Sequence, residues 1–274
     1  MPVSALLLAL AAAVVHATWN LLLSDARDVH SSSAVAVTTG VVAFAPVAAL
    51  TWRLHGAAVP YIAASATLET VYLALLATGY SVAAMSFVYP IARGSAPVIV
   101  LLISVIALGV AVSALAAVGV VVVAVGIVLV RGVRGAGRKS DLLLALSVGA
   151  CIAGYTLVDK HGITHANPIA YLELVFALVS IAYVSGVWRV RGGRAIRAAV
   201  NPRSLLAGLG YFGGYALTLG ALALAPAASV AAVRESSVVM ATAFLAVTGR
   251  EQVGATRLLG ALAVAGGIAL VSLG

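Results

Sequence analysis

An all-α, polytopic integral membrane protein is the fold class that this sequence predicts: ten transmembrane helices arranged as two inverted five-helix repeats. Three observations predict it. Of the 274 residues, 63% are hydrophobic and 9% charged, against roughly a quarter charged in soluble domains, and the mean hydropathy is +1.16. Apolar runs of about 20 residues, the length that crosses a roughly 30 Å hydrocarbon core, recur along the whole chain. The second half also repeats features of the first.

The runs fall at 3–23, 33–52, 57–79, 82–108, 110–130, 141–160, 168–188, 203–223, 226–248 and 254–273. The first has the length of a signal peptide but no cationic leader, and it is read as a span. The second and third are Ala- and Val-rich and are separated by "TWRLHG" (51–56). The fourth, "SFVYPIARGSAPVIVLL" (86–102), carries an arginine and two prolines. Each proline removes a backbone donor, so the fourth helix is expected to be broken beside its cation. The fifth is a Val-rich run ending in the polar stretch "RGVRGAGRKSD" (131–141), which divides the chain into units 1–131 and 141–274 joined by a basic loop, 132–140. The sixth and seventh carry Asp159 and Glu173, the eighth is the Gly- and Tyr-rich "GLGYFGGYALTLG" (208–220), the ninth holds "AAVRESSVV", and the tenth is again Ala- and Gly-rich. Small residues at this density suit close helix packing, and the low aromatic content, 6%, argues against a β-barrel.

A shift of 136 residues lays 4–24 on 140–160, matching Ser4 to Ser140, the LLLAL run 6–10 to 142–146, Trp19 to Tyr155 and Asn20 to Thr156. A shift of 141 lays Arg93 on Arg234. Five spans are an odd number, so the second copy re-enters the membrane in the opposite sense, the inverted-repeat design of many secondary transporters.

The polar residues inside the spans define a candidate substrate cavity. A guanidinium at mid-membrane costs at least ~2.5–3.5 kcal/mol on insertion scales, so it must face the bundle interior. Arg93 and Arg234 are expected on opposing helices, both facing the cavity. The alternative for Arg93 is a structural ion pair with Glu69 or Glu173. His16, Trp19 and Asn20 share one helical face, as do Tyr89 and Arg93, and Tyr155 and Asp159. Arg234, Glu235 and Ser236 are consecutive, so Arg234 and Glu235 point about 100° apart and each needs its own partner. His16, Trp19, Asn20, Tyr89, Arg93, Tyr155, Arg234, Glu235 and Ser236 are therefore the cavity candidates. Glu69, Asp159 and Glu173 are candidates for proton coupling or ion pairing, although Asp159 sits at a helix end where a wet, interfacial carboxylate is the simpler reading. The glycines of 208–220 are read as packing residues, and the hydrogen-bonding alternative for His16 and Asn20 stays open.

Other classes are not supported. A charge of +8 on a chain with no soluble module is a topology signal rather than a nucleic-acid footprint. No protease, hydrolase or phosphate-binding motif is present, and His161 with His165 is too few ligands for a metal. The single cysteine, Cys151, forms no intramolecular disulfide. No enzyme activity, cofactor or metal is expected.

Over essentially its whole length the chain resembles the EamA family of the drug/metabolite transporter superfamily. The resemblance rests on "HATWNLLLS" (16–24), "YPIARGSAPVIVLLIS" (89–104), "AGYTLVDKHGI" (153–163), "VRESSVVMATAFLAVTGRE" (233–251) and "RLLGALAVAGGIALV" (257–271). It implies ten helices in two repeats and small-molecule carriage, often export of amino acids and other metabolites. The Gly-Glu pair usual between the fourth and fifth helices of each repeat survives only as "GRE" (249–251); the first repeat reads "LGVAVS" (108–113).

The ten-span map gathers Arg27, Arg131, Arg134, Arg138, Lys139, Arg189, Arg191, Arg194, Arg197, Arg203, Arg250 and Arg257 at one end and leaves Arg53 and Lys160 at the other. The charge rule makes the crowded end cytoplasmic and the termini external; the family resemblance implies the reverse. The expectation is an inner-membrane secondary transporter, an exporter of a small polar, anionic or zwitterionic metabolite by alternating access. Its partners are that small molecule and the lipid bilayer, with no nucleic acid, and it acts as a monomer or homodimer. The rival readings are a lipid-linked carrier or flippase with a sideways-opening cavity, and a non-transporting scaffold or sensor with a filled centre.

Overall fold

The computed structural model describes residues 1–24, 26–82, 85–131, 138–237, 239–240, 243 and 254–274, and their side chains except those of 24, 79–82, 85–90 and 131. Within these the chain forms ten α-helices: α1 (Val3–Ser24), α2 (Val29–Leu50), α3 (Val59–Val82), α4 (Met85–Ile106), α5 (Ala114–Arg131), α6 (Lys139–Gly162), α7 (Pro168–Ala198), α8 (Pro202–Leu224), α9 (Ala227–Arg234) and α10 (Ala255–Leu273). Among the described residues seven helices are long and apolar enough to cross a membrane, and the apolar stretches Ile91–Ile106 and Ala114–Val130 are shorter. The protein is a multi-pass membrane protein.

Side-chain chemistry fixes the helix ends. Asp28 caps α2, accepting from the Ser31 amide at 3.2 Å and hydroxyl at 2.7 Å, which starts that helix four residues before the apolar run at 33. Burial opposes ionisation of Asp28, but the Ser31 hydroxyl and amide, helped by the charge of Arg191, outweigh it and hold the carboxyl below its usual range. Asn167 and Asn201 cap α7 and α8, each followed by a proline at the first helical position. Gly109, at φ 62°, makes the turn that leaves α4.

Three expectations need correction. The fourth helix is not broken: α4 is helical from Met85 to Ile106, through Pro90 and Pro97. One missing donor per proline leaves the neighbouring bonds to hold the helix. The interruption lies in the ninth span, where α9 stops at Arg234 with Glu235 as its cap and the chain is helical again at 236–237. The seventh helix outruns its apolar run, reaching Ala198 past a kink at Gly192, φ 80°. The basic loop 132–137, the "GRE" glutamate and most of the ninth span beyond 243 lie outside the described residues.

Helix α5 packs chiefly on α10, α1 on α8, α4 on α6, α3 on α6, and α2 on α7 and α8. The α5–α10 seam is a glycine seam. A methyl group added at Gly119 would lie 2.7 Å from the carbonyl oxygen of Gly267, and one at Gly126 would lie 2.8 Å from that of Gly260. Pairing 119 with 267 and 126 with 260 means that the two helices run antiparallel. The small residues let the backbones touch, which is how apolar helices associate without a water-driven term. Leu7, Val42, Leu143, Ile181 and Leu262 face outward, where hydrocarbon takes the place of water.

Candidate functional site

The centre of the bundle is polar. Among the described residues Glu69, Arg93, Asp159, Glu173, Arg234 and Glu235 are buried charged side chains, with Ser65, Ser236 and Ser237 beside them. Arg93 and Arg234 are each 3% exposed, so neither guanidinium meets lipid. The partner of Arg93 is neither Glu69 nor Glu173, as the sequence suggested, but Glu235: Arg93 Nε lies 3.0 Å from Glu235 Oε2. Arg93 Nη2 also donates to the Ser237 hydroxyl at 3.3 Å. The contact therefore joins α4 to the interrupted ninth span at Glu235, the cap on which α9 ends.

Arg234 is placed differently. Its Nη2 is 4.0 Å from Glu235 Oε1, and its Nε and Nη2 have no hydrogen-bond partner among the described residues. Its field reaches Tyr155, Glu235 and Tyr215, and also Glu69 and Asp159. Two guanidinium groups share one carboxylate, and Arg234 holds the weaker share.

Around this pair lies a shell of tyrosines. Tyr211 on α8 donates to Glu69 Oε2 at 3.1 Å. Asp159 is fully buried rather than interfacial: it accepts from Tyr171 at 2.8 Å and from Tyr215. The end of α6 is covered by α7 and α8, which keeps water away from a position that looks wet in one dimension. Tyr155 stands edge-on between Tyr72, at 5.8 Å, and Tyr215, at 5.7 Å. Trp19 is edge-on to His16 at 4.9 Å and to Tyr211 at 5.1 Å. Asn20 donates to the His16 carbonyl at 2.8 Å. Glu173 is buried on α7, with Oε2 lacking a hydrogen-bond partner among the described residues. The side chain of Tyr89 lies outside the described residues.

A cavity runs between α1, α2, α3 and α8, lined by Trp19, Asn20, Leu23, Ser33, Leu73 and Tyr211 with their apolar neighbours. It occupies the half of the bundle leading to the Arg27 end. Of the residues expected to line a cavity, Trp19 and Asn20 do so. His16, Arg93, Tyr155, Arg234, Glu235 and Ser236 are not among its lining residues; His16 abuts its Trp19 wall, and the Glu69–Tyr211 pair its other wall. Tyr211 and Tyr215, missed in the sequence, are the donors that satisfy two buried carboxylates. Their spacing of four on an apolar helix was the available signal, the same one that marks Tyr89 with Arg93.

The profile of a family described as "EamA-like transporter family" matches residues 139–273. No curated protein matches the chain. Among solved structures, one titled "Crystal structure of protein" is similar at a TM-score of 0.78 and 16% identity, covering 100% of this chain and 98% of that one. That likeness extends the fold over the whole length.

Proposed function

We propose that this chain, whose residues 139–273 match the EamA-like transporter family of the drug/metabolite transporter superfamily, is a secondary transporter of that type, an exporter of a small anionic or zwitterionic metabolite across the inner membrane. The observation that carries the reading is Arg234, 3% exposed, with Nε and Nη2 lacking hydrogen-bond partners among the described residues. Buried donors of this kind cost free energy until an acceptor arrives, and a planar guanidinium matches a carboxylate in geometry. The cavity beside Trp19 and Tyr211 offers the approach from the Arg27 end. That end is cytoplasmic by the charge rule, which suits loading for export.

Alternating access between two inverted five-helix repeats, 1–131 and 141–274, is the proposed mechanism. Its support is a set of exchanges. The offset of 141 that relates Arg93 to Arg234 also relates Gly119 to Gly260 and Gly126 to Gly267, the four residues of the antiparallel seam. Neighbour pairs exchange in the same way: α1 with α8 answers α6 with α3, and α4 with α6 answers α9 with α1.

The test is ligand-dependent thermal stabilisation of the purified protein against a panel of amino acids, organic anions and organic cations, run beside Arg234→Gln. A ligand that binds only the folded state at a hundredfold excess over Kd adds about 2.7 kcal/mol. The expected result is stabilisation by one carboxylate class, lost in Arg234→Gln. Stabilisation by organic cations alone would overturn the anionic assignment.

A further inference from the structure

The two ends of the bundle are made from corresponding loops but are not alike. At the Lys160 end the α2–α3 and α6–α7 loops are zipped together: the His55 amide donates to the His165 carbonyl at 2.9 Å, and the Asn167 amide to the Arg53 carbonyl at 2.7 Å. The Tyr61 ring stacks on His165 at 5.7 Å. Beneath that zip, Lys160 Nζ donates to the Leu222 carbonyl and, at 3.1 Å, to the Ala225 carbonyl. A cation there meets the electron-rich C-terminus of α8 and a carbonyl of its last turn. Next to it Asp159 accepts from Tyr171 of α7 and Tyr215 of α8. Two adjacent residues of α6 thus tie three helices together.

At the opposite end the corresponding α1–α2 and α7–α8 loops stand apart. A groove lined by Ala26, Arg27, Asp28, Asn201 and Arg203 lies between them, and no backbone hydrogen bond joins them among the described residues. The cavity beside Trp19 and Tyr211 lies on this side. By the offset of 136, Asp159 and Lys160 correspond to Leu23 and Ser24. Leu23 lines that cavity, so the charged pair belongs to one half of the chain only.

We propose that Lys160, with Asp159 beside it, is the latch that holds the Lys160 end shut in this conformer, and that its release from the end of α8 is the step that opens the central site to that side. The inference rests on the transporter reading and assigns the gating residue within it. Thr218 shares the inward face of α8 with Tyr211, Tyr215 and Leu222 and is 2% exposed, so it reports opening at the latched end. Leu76 lines the cavity at the other end.

The experiment uses the full chain reconstituted in liposomes with Cys151→Ser as background. It measures the labelling rates of Thr218→Cys and Leu76→Cys by a membrane-impermeant maleimide supplied from each side. With Lys160 present, Thr218→Cys labels slowly and Leu76→Cys quickly. Lys160→Ala is expected to speed Thr218→Cys at least tenfold from the Lys160 side and to slow Leu76→Cys, while Lys160→Arg keeps the original rates. An unchanged Thr218→Cys rate in a Lys160→Ala protein of unaltered melting temperature overturns the latch. A rise at both positions also overturns it, because it marks a loosened bundle rather than a released gate. Failure of the transporter reading appears elsewhere, as wild-type protein that no cargo stabilises, and leaves these rates unaffected.

Discussion

Glu235 holds Arg93 Nε at 3.0 Å and follows directly on Arg234, the residue that a shift of 141 in the sequence lays on Arg93. The cap of α9 therefore brings a carboxylate to both arginines from a single position. The pairing offsets the cost of burying Arg93, while Arg234 stands farther from the same carboxylate, at 4.0 Å.

Removing that carboxylate isolates two buried cations. Glu235→Ala is expected to lower stability by about 3–5 kcal/mol, the usual cost of orphaning a buried charge. Adding Arg93→Met should recover part of the loss. Thermal melts of the single and double variants in one detergent check this; a double variant less stable than Glu235→Ala would refute the pairing account.

The glycine seam gives a sharper steric test. Gly126→Ala sets a methyl 2.8 Å from the Gly260 carbonyl oxygen, whereas a methyl at Gly266 meets nothing within 4 Å. Overpacking of that kind costs ~1–3 kcal/mol, so Gly126→Ala should melt measurably lower and Gly266→Ala should stay near wild type. Equal melting temperatures would show that the seam yields.

Tyr211→Phe keeps the ring between Trp19 and Phe176 and removes the hydroxyl that donates to Glu69. A buried acceptor left without its donor costs ~1–3 kcal/mol. The expected signature is a destabilised Tyr211→Phe and a smaller deficit in Tyr211→Phe with Glu69→Leu, measured as a double-mutant cycle of melting temperatures.

Asp28 predicts a pH dependence outside the membrane. Its folded-state carboxyl lies below the usual range, so its contribution is fully present above the unfolded value near ~4 and is lost as pH falls through the folded value. Asp28→Asn, which still caps, should lose less stability than wild type between roughly pH 5 and 3. Parallel curves for the two proteins would remove the cap from the acid response.

What the sequence determined by itself was the class of the protein, the position of most of its helices and the burial of both arginines. Each of these follows from local quantities: an apolar run either reaches 20 residues or does not, and a guanidinium amid such a run has only the interior to face. The tertiary structure decided which acid serves which base, because that choice depends on helices far apart in the chain. Asp159 reads as wet when only α6 is considered and becomes fully buried once α7 and α8 cover it. Glu235 meets Arg93 at the residue where α9 stops, while the prolines of α4, the stronger breakers in the sequence, leave their helix whole. Lys160 reads as an interfacial cation, and it is the end of α8, 62 residues away, that gives its charge a partner. Helix formation is settled within a turn or two of chain, whereas the pairing of buried polar groups is settled by whichever neighbours the packing supplies, since each must find an acceptor or a donor where no water can reach.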